Sequence, residues 1–297
     1  MVTWPNFFIV GAVKAGTTSL YAHLKEHPQV FLPKVKEPHY FAEFHPSREQ
    51  AHVAEYISDR GEYLRLYRGS ARFPAIGDAS PSYLWDNKAP QRIHQVCPQA
   101  RIIILLRDPV ARAHSHYLMD VLGCIETLPF AEALQRDYAC KEKGWWQSHL
   151  YVESGLYHDQ VLRYLEAFGP ANVLILLFDD LIKRPRELFM KVAEHLDIDT
   201  HPFDRMDLSA AHNAFRMPRS MTAYHFATSR FANQMRRYCI PASVNRRLCK
   251  STLLFDKKKP PIDDACRKFL QEIYAPEIAR LENLLGRSLP ELRQSWL

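Results

Sequence analysis

Residues 7–20 read Phe7-Phe8-Ile9-Val10-Gly11-Ala12-Val13-Lys14-Ala15-Gly16-Thr17-Thr18-Ser19-Leu20. Four apolar residues make a strand covered on both faces, a turn with two glycines follows, and a run of hydroxyl residues opens a helix. Glycine lets backbone N–H groups come close to an anion, the helix start adds its positive dipole end, and Lys14 adds a compact charge. The segment is built as a phosphate cradle. A ligand-free turn would need the glycines but not a lysine beside Thr17-Thr18. The spacing departs from the nucleoside-triphosphate loop GxxxxGK[ST]: Gly11 and Gly16 fit, but Thr17 stands where the lysine belongs, and lysine has moved inside the loop.

Working outward, residues 101–106 and 172–178 are two further apolar runs of strand type, and 75–77 is a shorter fourth. Helical patterns lie between them at 17–26, 89–96, 110–122, 130–141 and 157–168. The last has Tyr157, Val161, Tyr164, Leu165 and Phe168 on one face. This alternation predicts an α/β fold, a three-layer sandwich around a central parallel sheet. Beyond Asp179 no strand is expected. Residues 185–196 and 265–285 read as helices, with Pro276 the point where the second would break, and 200–218 has no period. Residues 250–261, which include Lys257-Lys258-Lys259-Pro260-Pro261, read as an exposed basic loop. No stretch has linker composition, so the expectation is one domain over 1–297 with a helical C-terminal portion.

Composition sets the outer bounds. The chain has 297 residues, 47% hydrophobic and 24% charged, with 39 basic against 33 acidic side chains and a net charge of +6, enough to bury a large core. The longest apolar runs fall far short of the roughly 20 residues that span a bilayer, so no transmembrane segment is expected. No charged n-region and h-region precede the glycine turn, which makes the cytoplasm the expected compartment. The six cysteines contain no CxxC pair, against both a zinc site and a disulfide framework. A charge of +6 spread over this length favours anionic ligands without the dense basic stripe of a nucleic-acid binder.

The strand at 101–106 runs into Arg107-Asp108-Pro109. No carboxylate ends a strand where it could hold Mg²⁺, and a cation there points to a second anion and no metal. Together these residues resemble the sulfotransferases that use 3′-phosphoadenosine 5′-phosphosulfate. Residues 11–20 are similar to that family's 5′-phosphosulfate motif, and Leu106-Arg107-Asp108-Pro109-Val110-Ala111-Arg112-Ala113-His114-Ser115-His116-Tyr117 to its 3′-phosphate motif. Lys36-Glu37-Pro38-His39-Tyr40-Phe41, Ala79-Ser80-Pro81-Ser82-Tyr83 and Ser154-Gly155-Leu156-Tyr157 extend the likeness over most of the chain. The Lys-Glu-Pro-His segment resembles the branch holding heparan sulfate-type carbohydrate enzymes and bacterial relatives, including domains of polyketide pathways.

The resemblance implies a P-loop-like fold and metal-independent in-line transfer of a sulfuryl group to an acceptor hydroxyl or amine. Lys14 would meet the bridging oxygen and the 5′-phosphate, and Ala15, Gly16, Thr17, Thr18 and Ser19 would supply N–H and hydroxyl donors. Arg107 and Ser115 would hold the 3′-phosphate, since a guanidinium fork and a hydroxyl two helical turns on can converge on one anion. Tyr157 lies in a segment similar to one lining the nucleotide site. Arg216 or Arg219, in a segment like one that closes over the nucleotide, could reach the 3′-phosphate. Arg112 is either a ligand or a solvated helical side chain.

Glu37 is the first candidate for general base and His39 its rival; Asp78 is a third candidate acid or base. Two departures bear on them. Ala42 follows Phe41 where heparan-type relatives carry an acid, with Glu43 one place on, and Ala79 stands where they carry a lysine. Loops 45–72 and 122–147 are expected to shape the acceptor pocket, with Trp145-Trp146 either its wall or packing. The acceptor class, whether small molecule, glycan, lipid or polyketide chain, is open. Two other readings stand beside this one, a small-molecule P-loop kinase using ATP and Mg²⁺, and a non-catalytic nucleotide-binding protein.

Overall fold

The apolar run at 101–106 forms a strand deep in the sheet: in the computed structural model, Ile102, Ile103, Ile104, Leu105 and Leu106 have no solvent exposure. The structure describes residues 3–43, 56–123, 125–140, 149–208, 217–218, 255–256 and 259–296. Arg216, Arg219 and Trp145-Trp146 lie outside the described residues.

In chain order the first half comprises β1 (Phe7–Gly11), α1 (Thr17–Lys25), β2 (Val30–Phe31), α2 (Arg60–Arg65), β3 (Ala75–Ala79), α3 (Ser82–Trp85), α4 (Ala89–Val96) and β4 (Arg101–Leu106). There follow α5 (Pro109–Leu122), α6 (Phe130–Ala139), α7 (Tyr157–Phe168), β5 (Val173–Leu177), α8 (Phe178–Lys183), α9 (Pro185–Leu196) and α10 (Asp264–Leu285). The five strands pair in the order β2-β3-β1-β4-β5, all parallel, with Phe8 level with Asp78 on one side and Ile102 on the other.

The chain leaves β1 toward the β2 edge, whereas β3 crosses to β4 and β4 to β5 in the opposite sense. Right-handed crossovers running in opposite directions place their helices on opposite faces of a sheet. The packing agrees. On one face His23 of α1 lies edge-on to Phe189 of α9 at 5.3 Å, and on the other His94 of α4 meets Phe168 of α7 at 5.5 Å. This is the expected three-layer α/β sandwich. Its crossover senses diverge between β1 and β4, and the crevice at the carboxyl ends of those strands is where open α/β sheets bind ligands.

Four local expectations need correction. The run at 172–178 is strand only over Val173–Leu177, because Phe178 already begins α8. Beyond residue 179 a two-residue antiparallel pair does occur, Met217–Pro218 with Phe255–Asp256. Within the presumed loop 45–72, Asp59 caps α2 by accepting from Glu62 N at 2.7 Å. Finally, α10 runs through Pro276 unbroken. Cys266, Leu270, Tyr274, Ile278 and Leu281 bury a continuous stripe along it, and that packing outweighs the hydrogen bond proline removes.

Gly77 on β3 faces its register partner Phe7 so closely that a Cβ would lie 2.1 Å from the ring. Gly77→Ala is therefore expected to lower stability by about 1–3 kcal/mol through overpacking. Urea unfolding should show a lower midpoint at unchanged slope; an unshifted midpoint would mean that the ring moves aside without strain.

Candidate active site

The turn after β1 is anchored across the crevice. Ala12 N donates to Leu105 O of β4 at 2.7 Å, and the Arg107 guanidinium donates to the Lys14 carbonyl at 2.9 Å. Lys14 has φ +64, a left-handed conformation that costs a residue with a Cβ about 1–2 kcal/mol, so the turn is held and not merely permitted. Gly16, at φ +96, occupies the cap of α1 with no side-chain cap bond. A Cβ there would lie 2.9 Å from the Phe178 ring and 3.0 Å from Leu181, so only glycine lets the helix start sit this close to α8. Thr17, Thr18 and Ser19 form the first turn, Thr17 buried and the other two half-buried. The positive end of a nine-residue helix thus opens into the crevice.

Cations gather around that end. The Lys14 ammonium lies 3.5 Å from Met119 Sδ. Arg107 lies over the Phe178 ring at 4.5 Å, and its carbonyl accepts from Tyr157 OH at 2.8 Å. Burial, then the Arg107 charge, holds the Lys14 ammonium below the usual lysine range, while Asp120 and Glu37 oppose the shift. Lys259 is lowered to about 8 by burial and then by Arg107 and Lys14. The His114 imidazole is lowered to about 4 by burial, followed by Lys259 and Arg107. Three cations from distant parts of the chain therefore repel one another at the carboxyl ends of β1 and β4, an arrangement that a polyanion would stabilise.

Within 250–261, read as an exposed basic loop, Pro260 and Pro261 are exposed but Lys259 is half-buried and within electrostatic reach of Arg107 and Lys14. Sequence reasoning missed it, although the run of three lysines stopped by two prolines was its signal. Arg112 is not a solvated side chain; it is fully buried, donating to the Tyr151 carbonyl and lying 3.3 Å from His116 Nδ1. Ser115 is buried on the same helix, two turns beyond its Asp108 cap. Tyr157 is buried behind Arg107 and touches the crevice only through that residue's carbonyl. Asp108 makes no pair with Arg107; it caps α5 and accepts Ser295 N at 2.7 Å.

Glu37 and His39 stand together on the turn before Tyr40, both left-handed at φ +61 and +54. Lys36 ion-pairs with one Glu37 oxygen, and His39 Nε2 is 3.7 Å from the other. His39 Nδ1 lies 2.7 Å from Ser82 Oγ, and burial lowers its pKa to about 4 against the pull of Glu37. His39 is thus neutral at pH 7, with Nδ1 held at Ser82. Asp78 has no exposure. Burial raises its carboxyl to about 6, although hydroxyl bonds from Ser80, Tyr63 and Tyr83 work the other way.

A cleft of about 310 Å³ lies beside Arg107, lined also by Phe178, Asp179, Ile182, Glu291 and Leu292 and containing neither Lys14 nor Glu37. A larger one of about 380 Å³, between Trp85, Asp86, Glu153 and Arg163, contains none of Lys14, Arg107 or Glu37. Among the described residues no group of three His, Cys, Asp or Glu could hold a metal ion, and no helix is long and apolar enough to cross a membrane.

A family model described as "Sulfotransferase family" matches residues 5–202. The chain is similar to a sulfotransferase from Alicyclobacillus acidocaldarius of known crystal structure, at 29% identity and a TM-score of 0.74, covering 99% of this chain and 100% of that one. It is 28% identical over 245 residues to carbohydrate sulfotransferase 15 of Mus musculus, covering 65% of this chain and 44% of that protein. Similarity to heparan sulfate glucosamine 3-O-sulfotransferase 6 of Mus musculus is 29% over 201 residues, covering 66% and 53%. The chain spans about half the length of these curated relatives.

His39, His114 and His195 are each lowered to about 4 from 6.5, chiefly by burial. Their folded pKa values lie below the unfolded ones, so their stabilisation is complete above pH 6.5 and is lost as pH falls toward 4. Asp78, raised to about 6, contributes with the opposite sign between pH 6 and 3.8. Asp120, also raised by burial, acts with the same sign as Asp78; with three histidines against two aspartates, the urea midpoint is expected to fall from pH 6.5 to 4. His195→Gln, outside the crevice, should flatten that fall; an unchanged slope would remove His195 from the account.

Proposed function

Since this chain belongs to the sulfotransferase family, we propose that it moves the sulfuryl group of 3′-phosphoadenosine 5′-phosphosulfate onto an acceptor hydroxyl or amine. The observation that carries this reading is the convergence of Lys14, Arg107 and Lys259 on the positive end of α1, with the Glu37 carboxylate in electrostatic reach of Lys14. A donor with phosphates at both ends of a nucleoside fits such a set. Lys14 and the first turn of α1 would take the 5′ end, with Arg107 and Ser115 at the 3′-phosphate and Lys259 between. Gly16, left-handed at the start of α1, lets the first backbone N–H groups of the helix face an anion.

In this reading the acceptor oxygen or nitrogen bonds to sulfur as the bond from sulfur to the 5′-phosphate oxygen breaks. Negative charge grows on that oxygen, where Lys14 stabilises it, and the acceptor proton passes to Glu37. His39, neutral and bonded to Ser82, orients the Glu37 carboxylate. The relatives named for carbohydrate and glucosamine acceptors make a sugar hydroxyl the first acceptor to test, with phenols and amines beside it.

Adenosine 3′,5′-bisphosphate at about 100 times its Kd is expected to stabilise the protein by roughly 2.7 kcal/mol in a thermal unfolding assay. ATP with Mg²⁺ should give no comparable shift; a shift with ATP–Mg²⁺ alone would replace this reading with a small-molecule kinase. Lys14→Ala and Lys259→Ala should each weaken bisphosphate binding about tenfold or more, the loss of one charge-assisted contact. Glu37→Gln should keep that affinity and lose sulfuryl transfer; a variant that still turns over would exclude Glu37 as the base.

A further inference from the structure

The turn that carries Glu37 is fastened in an unusual way. The N–H groups of every second residue, Glu37, His39, Phe41 and Glu43, donate to Ala79 O at 3.2 Å, Ser80 Oγ at 3.2 Å, Tyr83 OH at 3.4 Å and Asp86 Oδ2 at 2.5 Å. Only the first acceptor is backbone. Residues 37–43 are therefore attached to the connection from β3 to α3 mostly by side chains, and two of the four rungs end on hydroxyl oxygens.

A hydroxyl has one proton to give, so its role as acceptor depends on where that proton goes. Ser80 donates its proton to Asp78 Oδ1 at 2.7 Å, and Tyr83 donates to Asp78 Oδ2 at 3.0 Å. Tyr63 OH donates to the same oxygen at 2.8 Å and is itself supplied by Tyr67 OH at 3.2 Å. Asp78, Ser80, Tyr63 and Tyr83 are all without exposure, so bulk solvent does not compete for these bonds. An ionised carboxylate only accepts, which draws every hydroxyl proton toward it and leaves lone pairs facing His39 N and Phe41 N.

We propose that Asp78 is a positioning residue for Glu37: by fixing the direction of the Ser80 and Tyr83 hydroxyls, it holds the 37–43 turn against the sheet in the left-handed conformation that presents the Glu37 carboxylate. Asp78 is enclosed behind Ser80 and acts through it, without meeting an acceptor. This rests on the reading of Glu37 as the base. Its distinctive consequence is that an isosteric amide fails. The NH₂ group of asparagine donates where the carboxylate accepted, so the hydroxyl opposite it must accept and turn its own proton toward a backbone N–H, which breaks a rung.

The test is amide hydrogen exchange, residue by residue, on the full chain and on Asp78→Asn, Ser80→Ala and Tyr83→Phe, with adenosine 3′,5′-bisphosphate affinity measured alongside. In Asp78→Asn the amides of 37–43 should exchange about tenfold faster or more, as expected for losing a buried hydrogen bond. Bisphosphate affinity should stay within about twofold, and the His39 imidazole should titrate nearer its ordinary value as the loosened ring meets water. Turnover with the acceptor found by screening should fall while donor KM holds. Should Asp78→Asn not fold, the partner variants decide. Ser80→Ala should expose the His39 amide and spare that of Phe41, and Tyr83→Phe the reverse. Unchanged exchange at 37–43 in a folded Asp78→Asn, wild-type turnover by that variant, or full protection in both partner variants would overturn the proposal. A turnover-competent Glu37→Gln would instead remove the base assignment and leave the exchange results standing, so the two failures are distinguishable.

Discussion

The Arg107 guanidinium, at the end of β4, donates to the carbonyl of Lys14 in the turn that ends β1. This bond joins the two central strands at the crevice and sets the rest of the site. It helps hold Lys14 in a left-handed backbone that its side chain disfavours, and it lays Arg107 over Phe178. Phe178 in turn presses on the α-hydrogen side of Gly16, where no Cβ could enter. Two cations, one aromatic ring and one glycine thereby fix the distance between the start of α1 and the end of β4.

Holding those charges together is unfavourable in the absence of an anion. Burial presses the pKa values of Lys14, Arg107 and Lys259 downward; the Arg107 charge adds to this for both lysines and Arg112 for Arg107, while the nearby carboxylates of Asp120 and Glu37 offset only part of it for Lys14. The fold opposes the strain with apolar burial: the central strand is fully enclosed, and helices cover both faces of the sheet. Strained backbone and crowded charge occur together, as expected where binding geometry is built before the ligand arrives. Lys14, Glu37 and His39 account for three of the five left-handed non-glycine residues among those described, which concentrates the backbone strain on the site.

The acidic half of the site follows a different logic. Glu37 and His39 are the candidate acid–base pair, and the backbone that carries them is fastened to β3 and α3 by hydroxyls that donate to one enclosed carboxylate. Asp78 was legible in the sequence only as a possible acid or base, because a carboxylate in a short apolar strand suggests function without showing which way it faces. Its complete burial is what the tertiary structure adds.

Much of the fold was legible from residue pattern alone, since strands covered on both faces read as unbroken apolar runs and amphipathic helices read at their own period. The phosphate turn was legible too, because Gly11, Lys14, Gly16 and the hydroxyls are contiguous, and Arg107 because it ends a strand. The two-residue β2 was too short to show a period, and the passage of α10 through Pro276 depends on partners elsewhere in the chain. Lys259 is separated from Lys14 by most of the chain, and the rungs between 37–43 and 79–86 join segments some 40 residues apart. Local sequence determines conformations that neighbouring residues impose on one another. Which distant charges share a crevice, and which buried hydroxyls face which amide, was decided only by tertiary structure, because those energies exist only once packing has excluded water.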